Sequence, residues 1–358
     1  MAHSAIIVGG GIGGLAAALH LRAHGWDVEV RERADGLPET GTALGIWPTA
    51  LQALDALGLG DTVRSLGRAQ SGGGIVRADG SRIADVDVAR MKRRTGDTVH
   101  LISRAPLLRT LAAPLLADGV IRFGAPVSDI RRLTGHDVVI AADGLHSRSR
   151  TLLFGDEYGT RYTGVTCWRG TVDGDTSRVE ETWSTAARFG TTPHAVGRTN
   201  WFACVRAPAH APAPGGELAV LRARFGDWHP GVRRVLDELG KDGGAEVLRH
   251  DLHDLARPLP SYVSGRIALI GDAAHAMTPD LGRGACEALV DGVALARELT
   301  THRAVADALA AYDALRRRPT QRMARGARLL NRAVHTPGMA PLRNAVVRLA
   351  LAAGPPPG

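Results

Sequence analysis

Three glycine-bearing turns hold the residues best suited to chemistry. The first, Gly9-x-Gly11-x-x-Gly14, follows the apolar run "AIIV" and opens the helix-like run "LAAALHLRAH". Gly11 lets a pyrophosphate approach the backbone, and Gly14 lets helix and strand pack closely. A helix start there offers free N–H groups and a partial positive charge to phosphate. Glu32 closes the next apolar run, "DVEVRE", 18 residues after Gly14. At that distance a carboxylate can accept hydrogen bonds from a ribose diol. The second turn is Asp143–Gly144, after "DVVIAA", with Ser147, Arg148 and Arg150 as candidate phosphate ligands. Asp-Gly at a strand end is also a common plain turn. The third is Gly271–Asp272, followed by Pro279 and Gly282-Arg283-Gly284. A carboxylate at a strand tip can bind a sugar-like hydroxyl, and bare glycine backbone lets a ligand ring lie close. N–H groups of Gly284 and Ala285 could stabilise negative charge on that ring. The alternative for Asp272 alone is a solvated turn or a helix cap. The first turn does not choose between NAD and FAD.

These turns need strands before them and helices after them. Ala5–Val8 and Asp27–Glu32 read as strands around a helix stopped by Gly25, a βαβ unit. "SRAPLLRTLAAPLL", from Ser103, reads as an amphipathic helix with a serine cap and Pro106 near its start. Gly72 to Val99 reads as strand-rich, with turns at "ADGS" and "RTGD". Short β-like runs from Thr163 to Arg206 predict an antiparallel sheet, and "APAHAPAPGG" a loop. Helical patterns dominate from Ala285 to Leu351, ahead of a "PPPG" tail expected to be disordered.

Composition excludes several classes. At 358 residues with 44% hydrophobic content, the chain suits one large or two interleaved globular domains. The net charge of +8 comes almost wholly from arginine, Lys occurring only at Lys92 and Lys241. Aromatics are 4%, and no nucleic-acid motif accompanies the tightest cluster, Arg316–Arg317–Arg318, so nucleic acid is not an expected partner. Cys167, Cys204 and Cys286 are scattered, which argues against a disulfide framework or a metal site. The first apolar run is broken by glycines with no Lys or Arg before it, so an export signal is not expected. No stretch approaches the roughly 18 apolar residues of a membrane span. A cytoplasmic protein without integral membrane contact is expected.

Taken together, the three turns in this order resemble the class A flavoprotein monooxygenases, the para-hydroxybenzoate hydroxylase-like family, and most closely its salicylate or urate hydroxylase-like members. "GIWPTALQALDALGLG", "ISRAPLLRTL", "ARFGTTP" and "AAYDALRRRP" also look like family segments. The resemblance implies an α/β fold: a Rossmann-like FAD-binding domain (residues 1–70, 98–160 and 262–335) interleaved with a β-sheet substrate domain (71–97 and 161–261). A C-terminal helix and tail would occupy 336–358. It implies FAD held at its pyrophosphate by Gly9, Gly11, Ile12, Gly13 and Gly14 and at its adenosine ribose by Glu32. Arg104 would reach the phosphate and ribityl region, Asp272 the ribityl chain, and Gly282, Gly284 and Ala285 the isoalloxazine ring. Asp143 and Arg150 belong to the motif associated with FAD and pyridine nucleotide, and Arg33, Gly45 and Val127 complete the expected cofactor set.

The flavin would carry the chemistry, and no catalytic side chain is named; His275 is read as structural. NAD(P)H would be a transient co-substrate, and reduced flavin would react with O2 to a C4a-hydroperoxide that oxygenates an aromatic or polycyclic small molecule. The substrate pocket is expected between flavin and β-sheet, with Trp47, Arg188, Trp201 and Pro279 as candidate lining, although each Trp is more readily core. The chain would be a monomer or homodimer. A flavin reductase that does not use O2, or a non-catalytic FAD-binding homologue, shares the same framework; a halogenase fits less well, lacking W-x-W-x-I-P. Three departures stand out: Arg283 and Val290 where many relatives have Gln and Glu, Gly292 where Ala is common, and a short 128–136 segment that predicts a trimmed hairpin.

Overall fold

The structure is a computed structural model that describes residues 3–39, 41–241 and 247–353. The chain forms two compact units, each assembled from three separate segments. The first contains residues 1–66, 104–161 and 253–328; the second contains 67–103, 162–252 and 329–358. The C-terminal helix Ala340–Ala353 thus belongs to the second unit. The "PPPG" tail lies outside the described residues.

A six-stranded sheet organises the first unit, in the order Val263–Ser264, Ile267–Leu269, Val138–Ala141, Ser4–Val8, Asp27–Arg31, Ile121–Arg122. All neighbours pair in parallel except the edge strand Val263–Ser264. Parallel strands are covered on both faces, so they read as unbroken apolar runs rather than alternating ones. Ala5, Ile6, Ile7, Val138, Val139, Ile140 and Ala141 are accordingly buried. Because the strands run the same way, the residues that follow each of them collect at one sheet edge.

Two helices meet behind that edge almost backbone to backbone. An ideal Cβ on Gly13, in the helix Ile12–Ala23, would lie 2.6 Å from the Ala288 carbonyl oxygen of the helix Gly284–Thr301. A Cβ on Gly292 would lie 2.3 Å from the Gly13 carbonyl oxygen and 3.0 Å from the Ala17 nitrogen. Glycine at 292, a departure in the sequence, is thus what allows the two helices to touch.

A buried ion network stands beside this seam. Asp291, fully buried, accepts from the Gly271 N–H at 2.8 Å, His275 Nε2 at 2.5 Å and Arg316 Nε at 2.6 Å. Arg316 also donates to Glu287 at 2.6 Å, and Glu287 accepts from Arg283 at 2.8 Å. The Arg316–Arg317–Arg318 cluster is therefore largely committed, since Arg317 also pairs with Asp313 at 3.0 Å. Burial opposes ionisation of Asp291, but His275 and Arg316 outweigh it and hold its carboxyl down at about 2. Burial likewise works against His275, yet Asp291 raises it above the ordinary histidine value.

The second unit is built on a seven-stranded sheet, ordered Leu248–Leu255, Thr160–Asp173, Arg198–Arg206, Ala187–Pro193, Val179–Trp183, Gly73–Arg77, Arg82–Val86. The expected antiparallel pairings appear among the strands from Thr160 to Arg206, but Val179–Trp183 meets Gly73–Arg77 in parallel. Gly72 to Val99 holds the strands Gly73–Arg77 and Arg82–Val86, but its later part is corrected by a helix at Val88–Thr95, capped by Asp87 and ended by Gly96 at φ +80°. Only Met91 of that helix is buried, so no apolar stripe announces it. Two further helices, Glu217–Phe225 and Pro230–Leu239, were not legible in the β-rich middle; they pack Leu221, Phe225, Val232 and Val235 onto Trp168, Phe189 and Trp201. The trimmed hairpin near 128–136 is also corrected: a 3-10 turn, Ile130–Arg132, stands there with Asp129 as its cap.

Two stability outcomes follow from the seam and the network. Gly→Ala inside a helix normally gains about 1 kcal/mol, but at Gly292 the rigid carbonyl of Gly13 should reverse the sign. Gly292→Ala is expected to cost about 1–3 kcal/mol in urea unfolding. Asp291→Asn should cost about 3–5 kcal/mol, because His275 stays buried without its counter-charge and Arg316 keeps only Glu287. The pH signs are fixed. The Asp291 contribution holds above the ordinary carboxylate range and is lost as pH falls toward about 2. The His275 contribution is complete below about 6.5 and is lost as pH rises through its raised value. Wild-type unfolding free energy should decline along that alkaline limb, and His275→Gln should flatten the decline; equal slopes would remove the charged pair.

Candidate functional site

The three turns lie at the ends of adjacent parallel strands. Gly9 follows Ser4–Val8, Asp143 follows Val138–Ala141, and Gly271–Asp272 follows Ile267–Leu269. Glu32 follows Asp27–Arg31 on the other side of the first strand. Open α/β sheets bind ligands at this carboxyl edge.

The first turn is shaped around empty space. Gly9 has φ +110°, and a Cβ there would meet the Ala142 carbonyl oxygen at 2.3 Å. A Cβ on Gly14 would meet the Gly9 oxygen at 2.1 Å, whereas one on Gly11 would meet nothing within 4 Å. Gly14 is thus required by packing, while Gly11 leaves its side of the turn clear. No side chain caps the helix that begins at Ile12, so its leading N–H groups remain available to an anion. Glu32 braces the turn: its carboxylate accepts from the Gly10 N–H at 2.7 Å and the Ala34 N–H at 2.9 Å. Each oxygen keeps lone-pair capacity for a hydroxyl. Arg33 is exposed beside it, and Val127 follows a segment whose Ala125 N–H bonds the Glu32 carbonyl at 2.9 Å.

In the second turn, polar groups serve the backbone. Asp143 accepts from the Ser147 hydroxyl at 2.6 Å and the Ser149 N–H at 3.0 Å, and Ser147 caps the Arg150 N–H at 2.9 Å. Arg150 is buried and donates only to carbonyls: Leu145 at 2.8 Å, Tyr158 at 2.9 Å, Asp272 at 3.1 Å and Ala273 at 3.2 Å. It ties the second turn to the third.

The third turn holds an unspent carboxylate. Gly271 has φ +58°, and its N–H is taken by Asp291. Asp272 accepts no side-chain hydrogen bond among the described residues. Burial pushes its carboxyl above the ordinary value, against the pull of His275, Arg104 and Arg150. The Arg104 guanidinium, exposed, makes no hydrogen bond to a described residue either. An acceptor and a donor within electrostatic reach, both without direct partners, suit a ligand rich in hydroxyls and phosphate.

Beside Asp272 lies the glycine stretch. A Cβ on Gly284 would stand 3.9 Å from Asp272 Oδ1, and Gly282 has φ +61°. Trp47 Nε1 donates to the Gly282 carbonyl at 3.1 Å, and the Arg283 guanidinium sits 5.2 Å from the Trp47 ring. Arg283 also reaches Thr49 at 3.2 Å and Glu287 at 2.8 Å, so this departure residue is held rather than free. Cys286 donates to the Gly45 carbonyl at 3.1 Å, and burial pushes its thiol up to about 11. Gly45, Trp47, Gly282, Gly284 and Ala285 thus come together, with Pro279 exposed at the start of the turn Pro279–Leu281.

The remaining candidates fall in the second unit. Trp201 is fully buried and stacks on Phe189 at 5.8 Å. Arg188 is buried, 3.7 Å from Glu181 and 5.3 Å from the Phe202 ring. Sequence reasoning missed Glu287, Asp291 and Arg316. The available signal was Asp291 itself, a carboxylate in the apolar run "EALVDGVALA", where a buried charge demands a partner.

A bare-glycine cradle, an uncapped helix start, a braced ribose-type carboxylate and the unspent Asp272–Arg104 set together fit FAD. Comparison with known proteins agrees. A family described as FAD binding domain matches residues 2–136 and 249–327. The aurachin C monooxygenase/isomerase of Stigmatella aurantiaca is 33% identical over 329 residues, covering 87% of this chain and 84% of that protein. The 3-amino-4-hydroxybenzoate 2-monooxygenase of Streptomyces cremeus is 34% identical, with 92% and 87% covered. The crystal structure of Klebsiella pneumoniae HpxO complexed with FAD and uric acid superposes with a TM-score of 0.85 at 28% identity, covering 98% of this chain and 92% of that one. The cradle, the carboxylates and these relatives lead to one assignment: the chain belongs to the FAD-dependent class A flavin monooxygenases, the para-hydroxybenzoate hydroxylase-like family.

Proposed function

We propose that this protein uses NAD(P)H and O2 to insert one oxygen atom into an aromatic or polycyclic small molecule. The observation that carries the reading is the Asp272 carboxylate: it stands at the sheet edge with no donor among the described residues, next to the glycine stretch and on the same edge as the Gly9–Gly14 cradle. When bound, FAD supplies the redox chemistry, taking up hydride and then activating O2.

The chain's own residues position and shield. The N–H groups after Gly11 would take the pyrophosphate, and Glu32 a ribose hydroxyl. Asp272 would accept from the ribityl hydroxyls while Arg104 offsets the phosphate charge. The N–H groups of Gly284 and Ala285 open an 18-residue helix and would stabilise negative charge on the ring. The Trp47 indole, fixed to the Gly282 carbonyl, would form a wall excluding water beside that turn. Asp143 and Arg150 support the reading as braces of the two turns, through the bonds to Asp272 and Ala273, rather than as groups reaching a ligand. Relatives named as monooxygenases of aurachin C and of an aminohydroxybenzoate support an aromatic substrate.

Stimulation of NADPH and O2 consumption by phenols, N-heteroaromatics or polycyclic aromatics, with an oxygenated product, tests the reaction. Consumption without oxygen in the product would instead indicate a reductase, and a protein that cannot bind flavin would end the proposal. Two variants test the site. Asp272→Ala should weaken FAD binding roughly 10- to 100-fold, the loss of a charge-assisted hydrogen bond of about 1.5–3 kcal/mol. Gly11→Ala should leave apoprotein stability within about 1 kcal/mol, because the added methyl meets no protein atom. It should nonetheless reduce FAD affinity at least about 10-fold by occupying the pyrophosphate approach. Flavin fluorescence titration reads both, and unchanged affinity in either would remove that residue's role.

A further inference from the structure

At the outer edge of the first unit's sheet, two arginines stand side by side. Arg31 ends the strand Asp27–Arg31, Arg122 ends Ile121–Arg122, and the parallel register pairs them directly. Like charges at that spacing repel. One carboxylate answers both: Glu29 Oε1 lies 2.8 Å from Arg31 Nε and 3.2 Å from Arg122 Nε. Among the described residues no other carboxylate lies within 4.0 Å of either guanidinium. The cluster therefore carries one uncompensated positive charge. Glu29 faces the Nε of each side chain, and the terminal amino groups of both make no hydrogen bond among the described residues. Two donor forks are thus held in place and left unspent.

These forks border a groove. Glu29, Arg31, Arg122, Ala125 and Pro126 line a cleft of about 350 Å³ within the first unit. The Arg31 side chain is 36% exposed and that of Arg122 68%, so their charge is reachable from solvent. Strand alternation turns Glu29 and Arg31 to one face, with Val28 and Val30 buried on the other. Glu32, one residue on, directs its carboxylate to the Gly10 and Ala34 N–H groups, so the groove is separate from the ribose-type acceptor. The chain leaves Pro126 through the short 3-10 turn Ile130–Arg132, whose Arg131 is matched by Asp129 at 2.8 Å. One wall is thus cationic and the other, Ala125 and Pro126, is apolar. Paired guanidiniums match phosphate, which accepts bidentate donors and carries negative charge. An adjoining apolar wall suits the organic part of an ester. We propose that this groove binds a phosphomonoester, its phosphate held by Arg31 and Arg122 and its organic part lying against Ala125 and Pro126. The 2′-phosphate of NADPH and a separate phosphorylated small molecule share that chemistry.

Calorimetric titration of the FAD-loaded protein with adenosine 2′-monophosphate, adenosine 5′-monophosphate and adenosine tests this. Both phosphates are expected to bind and adenosine is not, with affinity falling as salt is raised. The double variant Arg31→Gln, Arg122→Gln should keep its flavin spectrum and lose at least about tenfold in affinity for both phosphates. Arg109 and Arg303, two other exposed arginines of the same unit, provide the control: Arg109→Gln, Arg303→Gln should leave affinity within about twofold. Absence of phosphate-dependent binding, or equal losses in the two double variants, would overturn the inference. The kcat/KM ratio for NADPH over NADH separates the two sources. A ratio that collapses toward unity in the Arg31, Arg122 variant identifies the dinucleotide. An unchanged ratio beside lost phosphate binding identifies a separate ester, and both outcomes support the site. Because titration reads binding alone, an inactive oxygenase would leave the test of the groove intact.

Discussion

A single buried carboxylate, Asp291, governs the geometry of the site. It is held charged by Arg316 and His275, and its remaining acceptor capacity goes to the Gly271 N–H, the residue that turns the strand end toward Asp272. Buried ion pairs rarely add net stability over an apolar core of the same shape. Here the pair has a different use. The strand tip bends at a glycine with a left-handed φ, a conformation with little intrinsic preference for one direction. An ionic anchor behind it selects one orientation, and the Asp272 carboxylate is delivered to the sheet edge without being consumed by its own protein.

The same division between anchoring and presenting recurs at the other turns. Glu32 accepts two backbone N–H groups and so defines the first turn's shape before any ligand arrives. Gly9, Gly13, Gly14 and Gly292 let strand ends and helices approach to distances that no side chain tolerates. Gly11, with open space before it, is the exception among them. A preorganised cradle of this sort spends little ordering entropy when its ligand binds.

The sequence revealed the parts whose residue type is dictated locally. Glycine turns, the strand before each turn and Glu32 were legible because φ, strand period and spacing constrain them directly. Asp291 and Arg316 were not, since their partners lie 16 to 29 residues away in sequence and nothing local names a partner. Arg150 shows a second limit. Its neighbourhood reads as a phosphate-binding run, yet burial spends its donors on carbonyls, and a local pattern does not disclose where a long side chain points. The helix Val88–Thr95 went unread for a third reason: a basic surface helix that buries one methionine has no apolar period, leaving only Asp87 and Gly96 to mark its ends.

Arg150 also makes the second and third turns one mechanical piece. Its guanidinium spans Leu145 and Tyr158 on one side and Asp272 and Ala273 on the other, like a rivet through two plates. Damage at Asp143, Ser147 or Arg150 would therefore propagate to Asp272 through the backbone that these bonds hold. A mutant of this kind would spring a hinge as well as remove a side chain.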